Sequence, residues 1–526
     1  MPASANAMQL TQPLHQARLE KPDATALVCG PRRSSFAALA DRVARLAAVL
    51  RVQGLQPGDR VAMLGHNSDH YVVFLYAVWW AGGVINPVNL RWSGREIAYS
   101  LDDCDTRILL VDENFHGTVA GLRSLSHSLR CLMHWGNGPA PAGGDLLDGP
   151  LLADQAQPMA DAGRSGHDLA AVMYTGGTTG RPKGVMLTHA NLVLNLLAAN
   201  QAATRPLDAV GITIAPMFHV GGMGLTLQLI QRLCRQVILP GFDELALLQA
   251  IADERGSETF LVPTMLKRLV EHPRFAEFDT SALQLVLYGA APIDGSLLAQ
   301  AQRALPAAGF CQLYGMTELS PVVTALPAWC HAPGQPPGRL RSAGRAVAVA
   351  EVRIVDPQGQ PVANGVVGEI VSRGPCVMAG YWNQPEQTAA AVQDGWMHTG
   401  DGGWMDGDGF VYVVDRLKDM IVTGGENVYS AEVENAIALL PAVSMVAVIG
   451  VPDDRWGERV HAVVVLRDGL TLDAEALIAH CREQIAGYKC PRTVEFRSAL
   501  PLSAAGKLLK HELRAPFWAG RSRAVN

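Results

Sequence analysis

The sequence predicts an α/β protein. A large N-terminal domain of layered α/β subdomains carries a small β-rich subdomain and is followed by a small α+β C-terminal domain. Three observations lead there. Helical patterns such as Phe36–Arg51 alternate with short apolar runs, Val61-Ala-Met-Leu64 and Ile108-Leu-Leu-Val111, as layered sheets and helices require. Between about Glu351 and Tyr381 the pattern turns to strands and tight turns: Glu351-Val-Arg-Ile-Val355, the turn Asp356-Pro-Gln-Gly359, and Gly368-Glu-Ile-Val371. From Met420 onward helices and strands alternate again, through Met445-Val-Ala-Val-Ile449 and Ala462-Val-Val-Val-Leu466. The main boundary is placed near Asp415, giving domains 1–415 and 416–526 with the β-rich part at about 340–415.

At 526 residues the chain is too long for one core. A net charge of −6 gives no electrostatic reason to expect nucleic acid as a partner. The nine cysteines include no Cys-x-x-Cys pair, so a disulfide framework is not expected and a reducing cytoplasm fits. No secretory signal is read in Met1 to Lys21. The most apolar segment, Tyr71 to Ile85, is shorter than the roughly 20 residues a membrane span needs, and Asn86-Pro87 ends it. It reads as a buried core helix, with peripheral membrane contact left open. Residues 136–166, rich in Gly, Pro, Ala and Asp, read as an exposed connection.

The stretch Tyr174-Thr-Gly-Gly-Thr-Thr-Gly-Arg-Pro-Lys-Gly-Val185 has the composition of a polyphosphate cradle. Gly176, Gly177 and Gly180 let successive backbone N–H groups converge on phosphate oxygens. Thr175, Thr178 and Thr179 add hydroxyl donors, and Arg181 and Lys183 add positive charge. Leu169 to Met173 reads as a strand before it, and Thr188-His-Ala-Asn191 supplies a helix N-cap after it. The expected order is strand, loop, short connection, helix. A P-loop is excluded by spacing: Lys183 is followed by Gly184, and Gly506-Lys507 is followed by Leu508 with Pro501 where the first glycine belongs.

The loop resembles that of the adenylate-forming enzymes, which include acyl-CoA synthetases, aryl-CoA ligases, peptide-synthetase adenylation domains and luciferases. Further motifs follow in that family's order, so the resemblance covers about residues 25 to 515. In Ala215-Pro-Met-Phe-His-Val-Gly-Gly-Met-Gly224, it places His219 beside the acyl pocket. In Tyr288-Gly-Ala-Ala-Pro292, small Gly289, Ala290 and Ala291 let a flat base or an acyl chain lie against the backbone. In Gln312-Leu-Tyr-Gly-Met-Thr-Glu318, it implies adenine on Tyr314 beside Gly315, the α-phosphate on Thr317, and magnesium on Glu318. In His398-Thr-Gly-Asp401, Asp401 inherits the ribose hydroxyls. Asp415-Arg-Leu-Lys-Asp-Met-Ile421 gives Arg416 to ribose and phosphate and Lys418 to the hinge, and Gly424 and Gly425 border a pantetheine tunnel. In Pro501-Leu-Ser-Ala-Ala-Gly-Lys507, Lys507 matches the lysine that bridges carboxylate and α-phosphate. Lys510, without a preceding glycine, is expected on a solvated helix face. Two departures stand out: Gly176 occupies a common serine position, and Gly344-Arg-Ala-Val-Ala348 lacks the usual prolines.

The resemblance implies an ATP-, magnesium- and coenzyme A-dependent carboxylic acid–CoA ligase acting through an acyl-adenylate. Lys507, Thr178, Glu318 and His219 would be its catalytic side chains. Apolar Met217, Phe218, Val220 and Met223 suit an alkyl or aryl acid, with a medium- or long-chain fatty acid as the first expectation. A cinnamate- or benzoate-type aryl ligase, an acyl-adenylate ligase loading a separate carrier protein, and a luciferase-like oxidase remain alternatives. An inactive nucleotide-binding relative is disfavoured, because Glu318, Asp401, Arg416 and Lys507 are all present.

Overall fold

A computed structural model of the chain describes residues 8–142, 146–175, 182–332, 334–336, 338–416, 419–423, 426–503 and 506–519. Among the described residues, two mixed sheets form the body of the molecule. A nine-stranded sheet runs from Arg345–Ala346 through Val322–Leu326, Gly309–Gly315, Leu285–Gly289, Glu258–Leu261, Val210–Thr213, Arg235–Ile238 and Thr25–Cys29 to Arg32–Ser35. An eight-stranded sheet runs from Gly380–Tyr381 through Lys183–Thr188, Leu169–Thr175, Val84–Pro87, Arg60–Leu64, Ile108–Val111 and Cys131–His134 to Leu147–Asp148. Both are parallel at the centre and antiparallel towards an edge. Parallel strands covered on both faces need continuous apolar runs, which is why Val61 to Leu64 and Ile108 to Val111 read as they do.

One hydrophobic cluster joins side chains of both sheets, among them Leu27 and Met63, to the helices Phe36–Val52, Asp69–Trp80 and Val220–Gln231. Every residue of Asp69–Trp80 is buried, so this helix is enclosed all round rather than amphipathic. Its length, 12 residues, fits a core helix, and among the described residues no helix is long and apolar enough to cross a membrane.

A third sheet pairs Glu351–Val355 with Gly368–Arg373, and Gly368–Arg373 with Trp396–Met405; Val411–Arg416 lies against the last of these. A fourth contains Glu426–Val428, Ile421–Thr423, Gly457–Leu466, Val443–Asp453 and Thr493–Phe496, and has its own core around Ile421, Val433 and Val460. The passage from the third sheet to the fourth falls after Arg416 and before Ile421.

Three sequence expectations are corrected. Lys183–Thr188 is a strand antiparallel to Leu169–Thr175, so the glycine-rich segment joins two hairpin strands, and the helix His189–Ala202 begins only after the second. Thr188 and Asn191 form a reciprocal capping box at that helix start. The supposed exposed connection contains Leu147–Asp148 and the helix Gly149–Gln155, whose Asp148 cap and Pro150 were legible start signals. Lys510 is not solvated: its side chain is 13% exposed and its Nζ lies 2.7 Å from Glu434 Oε1. Burial disfavours its ammonium, but Glu434, Asp415 and Asp419 outweigh that and raise its pKa. Lys510→Ala strands Glu434 without its cation, and we expect a loss of about 3 kcal/mol of stability, read as an earlier thermal unfolding transition.

Candidate functional site

The hairpin pairs two of the expected site residues. Thr175 and Lys183 face each other in register where the glycine-rich segment joins the two strands. Tyr174 below them is fixed by its hydroxyl, which donates to Asp103 Oδ2 at 2.6 Å. Gly176, Gly177, Thr178, Thr179, Gly180 and Arg181 lie outside the described residues, as do Lys418, Gly424 and Gly425. Lys183 Nζ sits 4.8 Å from the ring centre of Tyr381, a cation–π distance.

Tyr381 carries the connection onward. Its hydroxyl donates to Glu318 Oε1 at 3.1 Å, and its backbone pairs with Val185 on the hairpin. Glu318 lies in the single turn Thr317–Leu319 and is 6% exposed; Thr317 beside it is also buried. Burial raises the Glu318 carboxyl above its ordinary range, against the pull of Tyr381, Arg416 and Lys183. A buried carboxylate with incomplete cationic compensation fits a hard divalent ion such as magnesium. Sequence reasoning did not single out Tyr381. Its partner is 63 positions away, and no local spacing announces that pairing.

Asp401 lies on Trp396–Met405 directly opposite Arg416 on Val411–Arg416. Arg416 Nε approaches Asp401 Oδ1 at 3.4 Å, and Tyr314 donates its hydroxyl to Asp401 Oδ2 at 2.7 Å. One carboxylate thus orients both the aromatic side chain and the cation. Thr399 steadies the turn, accepting from Asp401 N at 3.1 Å and donating to the Ile370 carbonyl at 2.6 Å.

Gly289 and Gly315 serve the fold in a way the sequence did not disclose. A Cβ on Gly289 would lie 2.1 Å from the Leu313 carbonyl oxygen, and one on Gly315 would lie 1.8 Å from that of Pro321. Close backbone approach explains both. Ala290 next in line holds a left-handed φ of 65°, turning the chain out of the sheet towards Ala291.

Lys507 reaches this group from the far end of the chain. Its loop is closed by Ser503, whose N–H donates to the Lys507 carbonyl at 2.7 Å and whose Oγ accepts from Lys507 N at 3.0 Å. Burial lowers the Lys507 pKa from its ordinary 10.5; Arg416 lowers it further, while Asp401 and Glu318 pull it back. His219 caps the helix Val220–Gln231, its Nδ1 accepting from Gly221 N at 3.2 Å. Burial, then the nearby Lys507 cation, pushes its pKa down to about 3, so it is neutral near pH 7. Lys507, His219, Glu318, Asp401 and Arg416 therefore share one electrostatic neighbourhood, although they come from five separate segments.

Residues 14–382 match the family model for AMP-binding enzymes, and residues 432–507 match that for the AMP-binding enzyme C-terminal domain. The chain belongs to the AMP-binding enzyme family. Feruloyl-CoA synthases from Amycolatopsis and Streptomyces species are 41% identical over 514 residues, covering 96% of this chain and 98% of theirs. A medium/long-chain-fatty-acid–CoA ligase of Mycobacterium tuberculosis is 36% identical, covering 95% of this chain and 88% of its own. The structure of ATP-bound MatB from Rhodopseudomonas palustris aligns with a TM-score of 0.88 at 32% identity, over 97% of this chain and 99% of that one. As a member of this family, the protein shares with the MatB structure the arrangement of a large N-terminal and a small C-terminal part.

Proposed function

We propose that this AMP-binding enzyme is an ATP-dependent acid–CoA ligase working through an acyl-adenylate, with an aryl carboxylic acid as substrate. The observation that carries the reading is the convergence of Lys507 and His219 on Glu318 and the Asp401–Arg416 pair. A carboxylate is a poor acyl donor because its leaving group would be an oxide. Attack of its oxygen on the ATP α-phosphorus breaks the bond to pyrophosphate and gives acyl-AMP, whose leaving group is a stabilised phosphate monoester.

In this reading Asp401 accepts from the ribose hydroxyls, Tyr314 offers its face to adenine, and Thr317 donates to the α-phosphate. Thr175, Thr178, Thr179 and the glycines Gly176, Gly177 and Gly180 hold the β- and γ-phosphates, with Lys183 adding charge. Glu318 would hold magnesium, which supplies positive charge against the crowded phosphate oxygens. Lys507 donates to the carboxylate and the α-phosphate as negative charge concentrates between them. Lys418 then acts as the hinge about which the small part turns, and Gly424 and Gly425 admit the thiol of coenzyme A.

The 41% identity to feruloyl-CoA synthases supports the aryl assignment, and so does the helix after His219. Gly224 is buried, yet a Cβ built there meets no atom within 4 Å. It lies one turn beyond Gly221, whose own Cβ would face the His219 and Phe260 rings at 3.6 and 3.5 Å. An aromatic ring fits beside such a glycine face. Gly224→Phe should therefore lower adenylation of ferulate at least ~10-fold while sparing butyrate. Equal loss for both acids would remove Gly224 from the acyl pocket. An alkyl acid is the second reading, favoured by buried Met217, Phe218, Val220 and Met223 and by the fatty-acid relative. Pyrophosphate release across a panel of cinnamic, benzoic and fatty acids, with and without CoA, separates the two. A fatty acid outpacing every aryl acid would overturn the first.

A further inference from the structure

The helix Pro263–Val270 buries Pro263, Met265, Leu266 and Leu269, leaving Thr264, Lys267 and the following Glu271 on one outward face at helical spacings of three and four. Each of these three meets the C-terminal part of the chain. Thr264 Oγ1 lies 3.5 Å from the Gly506 carbonyl, next to Lys507. Lys267 Nζ donates to the Ser444 carbonyl. Both terminal nitrogens of Arg467 donate to Glu271 Oε1 at 3.2 Å, while Arg467 Nε holds the Pro441 carbonyl at 3.2 Å. A second anchor stands off the helix, where Arg91 Nη1 donates to the Leu502 carbonyl at 2.8 Å.

We propose that this helix face is a rail that sets the register of the C-terminal part for adenylation, with Lys267, Glu271 and Arg467 as positioning residues for Lys507. The inference rests on the ligase reading above. Three contacts in a line fix a rotation as well as a distance, and the contact at one end immediately precedes the Lys507 ammonium. The contacts are polar, and a solvent-accessible cleft lined by Ser444, Arg467, Ser498 and Leu502 runs beside them. Such contacts separate without exposing a hydrophobic core, as an interface must if the same two parts meet differently in the second half-reaction. Burial lowers the Lys267 pKa while Glu271, one turn on along the same face, opposes that shift.

The test is a charge exchange read in both half-reactions. Acyl-adenylate formation is followed as ferulate-dependent ATP–pyrophosphate exchange, and thioester formation as feruloyl-CoA made from synthetic feruloyl adenylate and CoA. Glu271→Arg and Arg467→Glu should each slow exchange about fivefold and leave thioester formation within twofold. The double variant should recover exchange to within twofold of the unaltered protein, and Lys267→Met should repeat the single-variant pattern. A rail is excluded if the single variants slow both half-reactions alike, if exchange is unchanged in them, or if the double variant recovers nothing. Failure of the ligase reading looks different: the unaltered protein would then show no ferulate-dependent exchange, and the rail would fall with it.

Discussion

Lys507→Ala should abolish acyl-adenylate formation, slowing acid-dependent ATP–pyrophosphate exchange by at least ~100-fold, while thioester formation from supplied acyl-adenylate continues. The asymmetry follows from position. Lys507 lies in the neighbourhood of His219, Glu318, Asp401 and Arg416, where negative charge concentrates only in the first half-reaction. Equal loss in both half-reactions would contradict the role. A pH profile adds a second check. The ammonium must be charged to act, and burial lowers its pKa from 10.5, so charge is lost as pH rises through the lowered value. The kcat/KM of adenylation should therefore fall on the alkaline side before the ordinary lysine range. Lys507→Arg, if active, should move that limb upward, because a guanidinium stays protonated.

Glu318→Gln should slow adenylation by about 100-fold and raise the magnesium concentration needed for half-maximal rate. The amide keeps the shape and can still accept from the Tyr381 hydroxyl, but it carries no negative charge. An unchanged magnesium requirement in Glu318→Gln would detach this residue from the metal.

The sequence disclosed those parts of the site that sit in short polar breaks between apolar runs. Asp401, Arg416 and Lys507 each stand in such a break, where a glycine or a charge cluster departs from the surrounding periodicity. Their convergence was legible only through resemblance, since nothing local brings residue 507 to residue 219. Other features were hidden for identifiable reasons. Tyr381 joins Glu318 through the pairing of Gly380–Tyr381 with the phosphate hairpin, a long-range register that spacing does not encode. The strand Lys183–Thr188 has no exposed position along its length, so it lacks the alternation of a half-exposed strand. Lys510 read as solvated because a lysine on a helix usually is; its partner Glu434 comes from a different helix of the same small part.

The fold-serving glycines carry a related lesson. Gly289 and Gly315 stand inside motifs that bind nucleotide by resemblance, yet the atoms a side chain would strike belong to neighbouring backbone. Gly224 differs, with open space where its Cβ would be. Of these three, substrate preference should respond to Gly224, whereas Gly289 and Gly315 should register as loss of folding.

In the proposed reaction the acid is activated as an adenylate before any thiol takes part. The direct measurement is ATP–pyrophosphate exchange with radiolabelled pyrophosphate, magnesium and ferulate, in the absence of coenzyme A. Exchange is expected to require the acid, to proceed without CoA and to disappear in Lys507→Ala. Exchange that appears only when CoA is added, or ATP cleavage that yields ADP and phosphate, would contradict it.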